Sequence, residues 1–330
     1  MIHEKITVIL LCAVMVLSAL ALVGCGASEE TLKLGLGVYS AVEKATNADG
    51  DTNGQAQVAV TVAAVLVGAD GKIVKCVIDV ADNTVSYTSE GKAVANESFK
   101  TKHELGDAYG MKTDSPYYGS KTEWYEHANA FCALVEGKTV SEVKALVAED
   151  GKNSDALVSA GCTIGSSEFV KAVVAAVANA KDSAATKSTT LKLGINTDQT
   201  TADATAEKAG SNKLTTDIFA AAVDAEGKIV AATNETVEVD FTFDTTGKST
   251  FDTSKAINGK RELGDAYGMK TGSPYYGSAK EWYEHADAFV AACIGKKASE
   301  VASLEGNTDL QNAGCTIAIG GFVKAATKIG

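Results

Sequence analysis

The stretch Thr31-Leu-Lys-Leu-Gly-Leu36 returns as Thr190-Leu-Lys-Leu-Gly-Ile195, and Gly71-Lys-Ile-Val74 returns as Gly227-Lys-Ile-Val230. A repeat spaced by about 158 positions is too long for one turn of a solenoid, and long enough to bury roughly two thirds of its own unfolded surface. The 330 residues therefore read as a duplicated domain, with copies at 25–182 and 190–330. The small, polar run 181–189 reads as a short linker between them.

Within each copy the first half alternates with a period of two. Val237, Val239, Phe241 and Phe243 interleave with Glu238, Asp240, Thr242 and Asp244, and Val58, Val60 and Val62 with Gln57, Ala59 and Thr61. Such alternation marks a strand with one buried and one wet face. Asp70-Gly71, Glu90-Gly91, Glu226-Gly227 and Thr246-Gly247 supply hairpin turns, which makes the sheet antiparallel. The second half changes to helical spacing: Trp124, Ala128, Phe131 and Val135 form one apolar stripe ending at Gly137, and Trp282, Ala286, Phe289 and Gly295 repeat it. Thr139 and Glu142 fit a capping box that Lys297 removes from the second copy. Ser166 or Ser167 is placed to cap a last helix carrying Phe169, Val173 and Val177, whose counterpart opens at Gly321-Phe322. The expected fold class is α+β: two duplicated domains, each an antiparallel hairpin-built sheet with two to three helices packed on one face.

Asp plus Glu number 42 against 30 Lys plus Arg, a formal charge of −12. A phosphate backbone needs a basic surface, so nucleic acid is not an expected partner. Arg261 is the only arginine, which leaves the first copy with lysines and backbone N–H groups for holding an anion. At the N-terminus, Lys5 followed by the apolar run Ile6 to Val23 reads as a secretion signal over 1–24. Leu22-Val23-Gly24-Cys25 resembles the lipobox of bacterial lipoproteins. That resemblance implies an acylated Cys25 and an extracytoplasmic chain tethered to the membrane, where several acyl chains hold stably and one alone is marginal.

The copies have not diverged evenly. Positions 104–131 and 262–289 agree at 24 of 28 places, whereas 72–82 and 228–238 agree at 3 of 11. The matched segment runs through Gly106-Asp107-Ala108-Tyr109-Gly110-Met111-Lys112 to Ser115-Pro116-Tyr117-Tyr118-Gly119-Ser120. Its glycines allow close approach, Tyr109, Tyr117 and Tyr118 offer flat faces, and Lys112 a positive charge; Tyr267 and Lys270 are counterparts in the second copy. A small planar, negatively charged ligand suits this set, and the competing reading is a loop folded onto its own domain. Neither the dinucleotide nor the P-loop spacing is present. His127 and His285, beside Glu126 and Glu284, invite an acid–base reading, but one histidine per copy reads better as a surface or half-buried helix residue. No Cys-x-x-Cys or His-x-x-x-His pair points to a metal, and no nucleophile has an activating neighbour, so no catalytic residue is expected. Cys76, Cys132, Cys162, Cys293 and Cys315 follow Cys25. Their odd number leaves at least one thiol unpaired; buried free thiols are preferred over the pairs Cys132–Cys162 and Cys293–Cys315.

Ser159-Ala-Gly-Cys-Thr163-Ile and Asn312-Ala-Gly-Cys-Thr316-Ile each precede the final helix of a copy. The order of lipobox, Asp-Gly-Lys-Ile hairpin and Gly-x-Thr element resembles the FMN-binding domain of bacterial respiratory flavoproteins and Gram-positive electron-transfer lipoproteins. In that family the element reads Ser-Gly-Ala-Thr, usually with an aspartate three residues before the serine, and the threonine carries FMN through a phosphoester bond. Gly161 and Gly314 match the glycine, and Thr163 and Thr316 the threonine; Ala160 and Ala313 replace the serine, Cys162 and Cys315 the alanine, and Asp155 and Asp309 lie one or two residues too far upstream. The resemblance implies a flavin-binding electron carrier at the cell surface, with Tyr109 and Tyr267 stacking on the ring, Lys112 and Lys270 near its charge, and FMN covalently or non-covalently held. The alternative is a non-enzymatic surface module that binds a ligand, or serves a structural role, through the duplicated Gly/Tyr-rich loop.

Overall fold

The computed structural model describes residues 29–112, 120–271 and 278–330. The secretion signal, the lipobox with Cys25, and Tyr117 and Tyr118 lie outside the described residues.

The alternating segments pair through the expected turns. Strands β1 (Thr31–Thr46), β2 (Gly54–Val67), β3 (Ile73–Tyr87), β4 (Ala93–Val94) and β5 (Lys181–Thr186) form an antiparallel sheet in the order β4-β3-β2-β1-β5. Strands β6 (Thr190–Ala202), β7 (Gly210–Val223) and β8 (Ile229–Phe243) form a second antiparallel sheet in chain order. The first copy adds helices α1 (Lys102–Leu105), α2 (Trp124–Val135), α3 (Val140–Lys144), α4 (Asp155–Ser159) and α5 (Ser167–Ala178). The second adds α6 (Lys260–Leu263), α7 (Trp282–Cys293), α8 (Ala298–Val301), α9 (Thr308–Asn312) and α10 (Gly320–Thr327). The chain is α+β, as its two periodicities require.

Helices cover the outer face of each sheet. Ala63, Val65 and Ile78 pack under Trp124, Phe131 and Phe169, and Phe219 and Ile229 pack under Trp282, Phe289 and Phe322. The inner faces meet each other: Val58, Val60 and Val62 share one core with Leu214, Ile218, Val237, Val239 and Phe241. The order of layers is helix, sheet, sheet, helix. Alternation alone had suggested a wet second face, yet every residue from Val58 to Val67 is buried. Magnitudes explain the second sheet. Each large apolar side chain gains about 1.5–3 kcal/mol on burial, so an inner face left in water would forfeit more than the roughly 5–15 kcal/mol that holds a domain together.

The seam between the copies is reciprocal. Ala48 N–H donates to Gly247 O at 2.8 Å and its counterpart Ala204 N–H to Gly91 O at 2.7 Å. Ser249 N–H donates to Asn47 Oδ1 and Ala93 N–H to Asp203 Oδ1, both at 3.0 Å. Tyr87 and Phe243, equivalent in the repeat, stack with centroids 4.5 Å apart and planes 7° from parallel. Contacts of i with j and j with i are those of a two-fold interface, and the axis runs between these two rings. A polar strip on one side breaks the symmetry: Asn83 Nδ2 donates to Thr197 Oγ1 at 3.0 Å, Gln199 Nε2 to Asn212 Oδ1 at 2.7 Å, and Asn212 Nδ2 to Ser86 O at 3.0 Å. Satisfied polar groups inside an apolar seam penalise any other alignment of the sheets.

Three local expectations need correction. The run 181–189 is no simple linker, because Lys181–Thr186 pairs with β1, burying Ala185 and placing Ser183 Oγ 2.6 Å from Leu32 O. Small side chains let this edge strand lie close to the seam. Ser166 precedes α5 without capping it, since its hydroxyl is spent on Ile164 O at 2.9 Å and lies 3.2 Å from Cys162 Sγ. In the second copy Glu300 still returns to Lys297 N–H at 2.7 Å, so half of the capping box survives.

Candidate functional site

The matched segment is pinned at both ends by carboxylates. At its start, Thr101 and Glu104 close a capping box around α1, and Asp79 on β3 accepts from His103 N–H at 3.1 Å. In the second copy Glu235 takes the N–H groups of Arg261 and Glu262 at 2.7 and 3.2 Å. Burial pushes the carboxyls of Asp79 and Glu235 above their ordinary range despite these bonds. Beyond the 3-10 turns Gly106–Tyr109 and Gly264–Tyr267, a buried glutamate closes the segment. Glu123 accepts from the N–H groups of Met111 and Lys112, both at 2.9 Å, and Glu281 from Met269 and Lys270 at 2.9 and 3.0 Å. Glu123 and Glu281 are 0% and 1% exposed, a burial that carboxylates tolerate only when their oxygens are bonded. Each also sits at the N-terminal end of its tryptophan helix, where the helix dipole favours negative charge.

Between these clamps the proposed ligand groups are partly occupied. Lys112 pairs with Glu126, and Lys270 with Glu284. The bond holds each lysine above its ordinary range and each glutamate below. Half-buried Tyr109 has Lys102 Nζ over its ring at 5.2 Å from the centroid, and Tyr267 has Lys260 Nζ at 5.0 Å. Tyr125 and Tyr283 donate to Asp107 and Asp265 at 3.2 and 3.0 Å, tying each turn to its helix.

The Gly-Cys-Thr corners meet the histidines, a link the sequence did not reveal. His127 Nδ1 lies 2.8 Å from Gly161 O and 3.3 Å from Thr163 N, and His285 Nδ1 lies 2.9 Å from Gly314 O and 3.2 Å from Thr316 N. On the other side of each ring, Nε2 meets Thr122 Oγ1 at 2.8 Å in the first copy and Ser278 Oγ at 3.0 Å in the second. Both imidazoles are buried, so the residue read as surface or half-buried is a bracket joining the helix to the corner. Gly161 and Gly314 take φ of 101° and 106°, a backbone region that suits glycine. The five described thiols are free and buried; Cys162 and Cys315 are pushed up by burial, and Cys293 to about 12.

A flavin makes two demands on such a corner, donors for its phosphate and a slot for its ring. The hydroxyls of Thr163 and Thr316 stand on exposed residues. Of the backbone donors around them, Gly161 N–H is spent on Val158 O and Cys162 N–H on Leu157 O, while Thr163 N–H faces His127. Gly314, Cys315 and Thr316 repeat this pattern. A cleft of about 220 Å³ touches Cys315, below the roughly 300–1,000 Å³ typical of ligand pockets, and neither Tyr267 nor Lys270 lines it. A cleft of about 520 Å³ lies where Phe99 and Lys100 face Asn196 and Gln199, away from both corners. The described residues do not fit a flavin.

No family model, no curated protein and no solved structure matches the chain. The carboxylates Asp79, Glu123, Glu235 and Glu281 were missed in the sequence. Glu123 and Glu281 stand unchanged just before each tryptophan in the matched segment, a signal that could have found them.

Proposed function

We propose that this chain is a non-catalytic binding module, tethered outside the cytoplasm through Cys25, that presents two equivalent Gly/Tyr loops. The observation that carries the reading is the pair of buried glutamates, Glu123 and Glu281, each holding two backbone N–H groups of its loop. Interior packing needs such a clamp to fix a loop, but does not need Ser115-Pro116-Tyr117-Tyr118-Gly119 to recur unchanged as Ser273-Pro274-Tyr275-Tyr276-Gly277. A rigid base under a repeated aromatic sequence is the arrangement of a recognition loop.

With Lys112 and Lys270 neutralised and the net charge at −12, the ligand is neutral rather than anionic. A sugar face lying on tyrosine rings suits this chemistry. Because α2 and α7 cover opposite outer faces, the loops are two separate sites and the module is bivalent.

The test is binding of the chain from Thr31 onward to immobilised neutral oligosaccharides. Tyr109→Ala combined with Tyr267→Ala should abolish retention and leave the melting temperature within a few degrees. A fallen melting temperature with retention intact would make the loops structural. An intact mass from the native host that exceeds the acylated polypeptide by a flavin would replace this reading with the electron carrier.

A further inference from the structure

In the first copy, Asn153 ends a small hairpin in which it bridges to Val147, and Ala148 N–H donates to Lys152 O at 2.9 Å. Its side-chain amide Nδ2 donates to two carbonyls of the Gly-Cys-Thr corner, Cys162 O at 3.2 Å and Ile164 O at 2.7 Å. The second copy lacks this hairpin. Leu304 corresponds to Leu146, and Asn307, which caps α9, to Ser154, which caps α4. Residues 147–151 thus have no counterpart, and Gly306 stands where Asn153 stands.

The space is left as the cleft of about 220 Å³, lined by Gly306, Cys315 and Ile317 and by polar Glu305, Asn307 and Gln311 as well as by apolar residues. Among the described residues, no donor reaches Cys315 O or Ile317 O, the equivalents of the two carbonyls that Asn153 satisfies. Carbonyls left without a donor beside a partly closed cleft favour a ligand that brings its own N–H groups. We propose that this cleft binds a primary carboxamide, the side chain of an asparagine in a partner peptide, in the pose that Asn153 takes within the first copy. A volume of about seven waters admits such a side chain with its flanking backbone. The matching acid is refused, because its oxygens would face carbonyl oxygens. No described residue of the Gly/Tyr loop lines the cleft, and the proposal does not rest on the function proposed above.

The experiment titrates the isotope-labelled chain from Thr31 onward with the peptide Val-Ala-Glu-Asp-Gly-Lys-Asn, acetylated and N-methylamidated, and follows backbone amide shifts. Saturable shifts are expected at Gly306, Leu310 and 315–319, with the peptide ending in Asp weaker by about tenfold or more. Gly306→Asn should fill the cleft from within and abolish the shifts, because asparagine tolerates the φ of 73° found there. Equal binding of the Asp peptide, shifts that persist in a folded Gly306→Asn variant, or no localised shift up to about 10 mM would each overturn the proposal. Should that variant fail to fold, the amide-against-acid comparison decides alone.

Discussion

Single carboxylates do much of the positioning in this protein, and each makes a measurable prediction. Glu123→Gln leaves one oxygen for two N–H donors and turns an amide towards one of them. The expected loss is about 2–3 kcal/mol in chemical denaturation, with Glu281→Gln adding independently because the two sites share no partner. Asp217 on β7 accepts from Thr236 Oγ1, and burial pushes its carboxyl up to about 6 from 3.8. The native state therefore binds this proton more tightly than the unfolded chain. Its contribution is fully present below about pH 4 and is lost as pH rises through about 6. Asp217→Asn should flatten that slope and raise stability at neutral pH by up to about 3 kcal/mol, read from unfolding curves between pH 4 and 7. The first copy solves the same contact differently: Thr61 replaces Asp217 on the strand, and Glu168 replaces Gly321 on the helix. A Cβ at Gly321 would meet Asp217 Oδ2 at 1.8 Å, so the carboxylate can stand on either element but not on both.

At the scale of elements, helices α5 and α10 lie directly on glycines of the first strand of each copy. A Cβ at Gly37 would stand 2.1 Å from Ala172 O, and one at Gly194 2.1 Å from Ala325 O. Gly37→Ala should cost about 3 kcal/mol or more by lifting α5, visible as a lowered melting temperature. The strands, hairpins and tryptophan helices were legible because their periodicity and turn residues act locally. Strand β5 was not, since Lys181–Thr186 carries no apolar alternation and is held by Ala185 and Ser183 against a strand about 150 positions away in the chain. Nor did sequence pair His127 with Gly161, because helix and corner meet only through the fold. The matched segment did mark the clamped loops, and the absence of internal divergence there was the useful signal.

At the scale of the whole molecule, one apolar seam belongs to both copies, so the chain from Thr31 onward should unfold in a single transition by near- and far-ultraviolet dichroism alike. A fragment covering 25–182 exposes its inner face and should dimerise or lose fixed packing, which sedimentation would report. Alternation did not disclose this seam, because a strand facing a partner sheet and a strand facing its own core leave the same pattern. The reciprocal bonds at Ala48 and Ala204 also limit where the gene can vary in length. An insertion at the seam would have to be matched in both halves at once, whereas each helical flank packs on its own sheet, although Lys328 at the end of α10 pairs with Glu104 of α1 at 2.7 Å. The missing hairpin of the second copy lies in such a flank. Ancestral symmetry is therefore policed at the centre, and the periphery is where one half can acquire a task its twin never had.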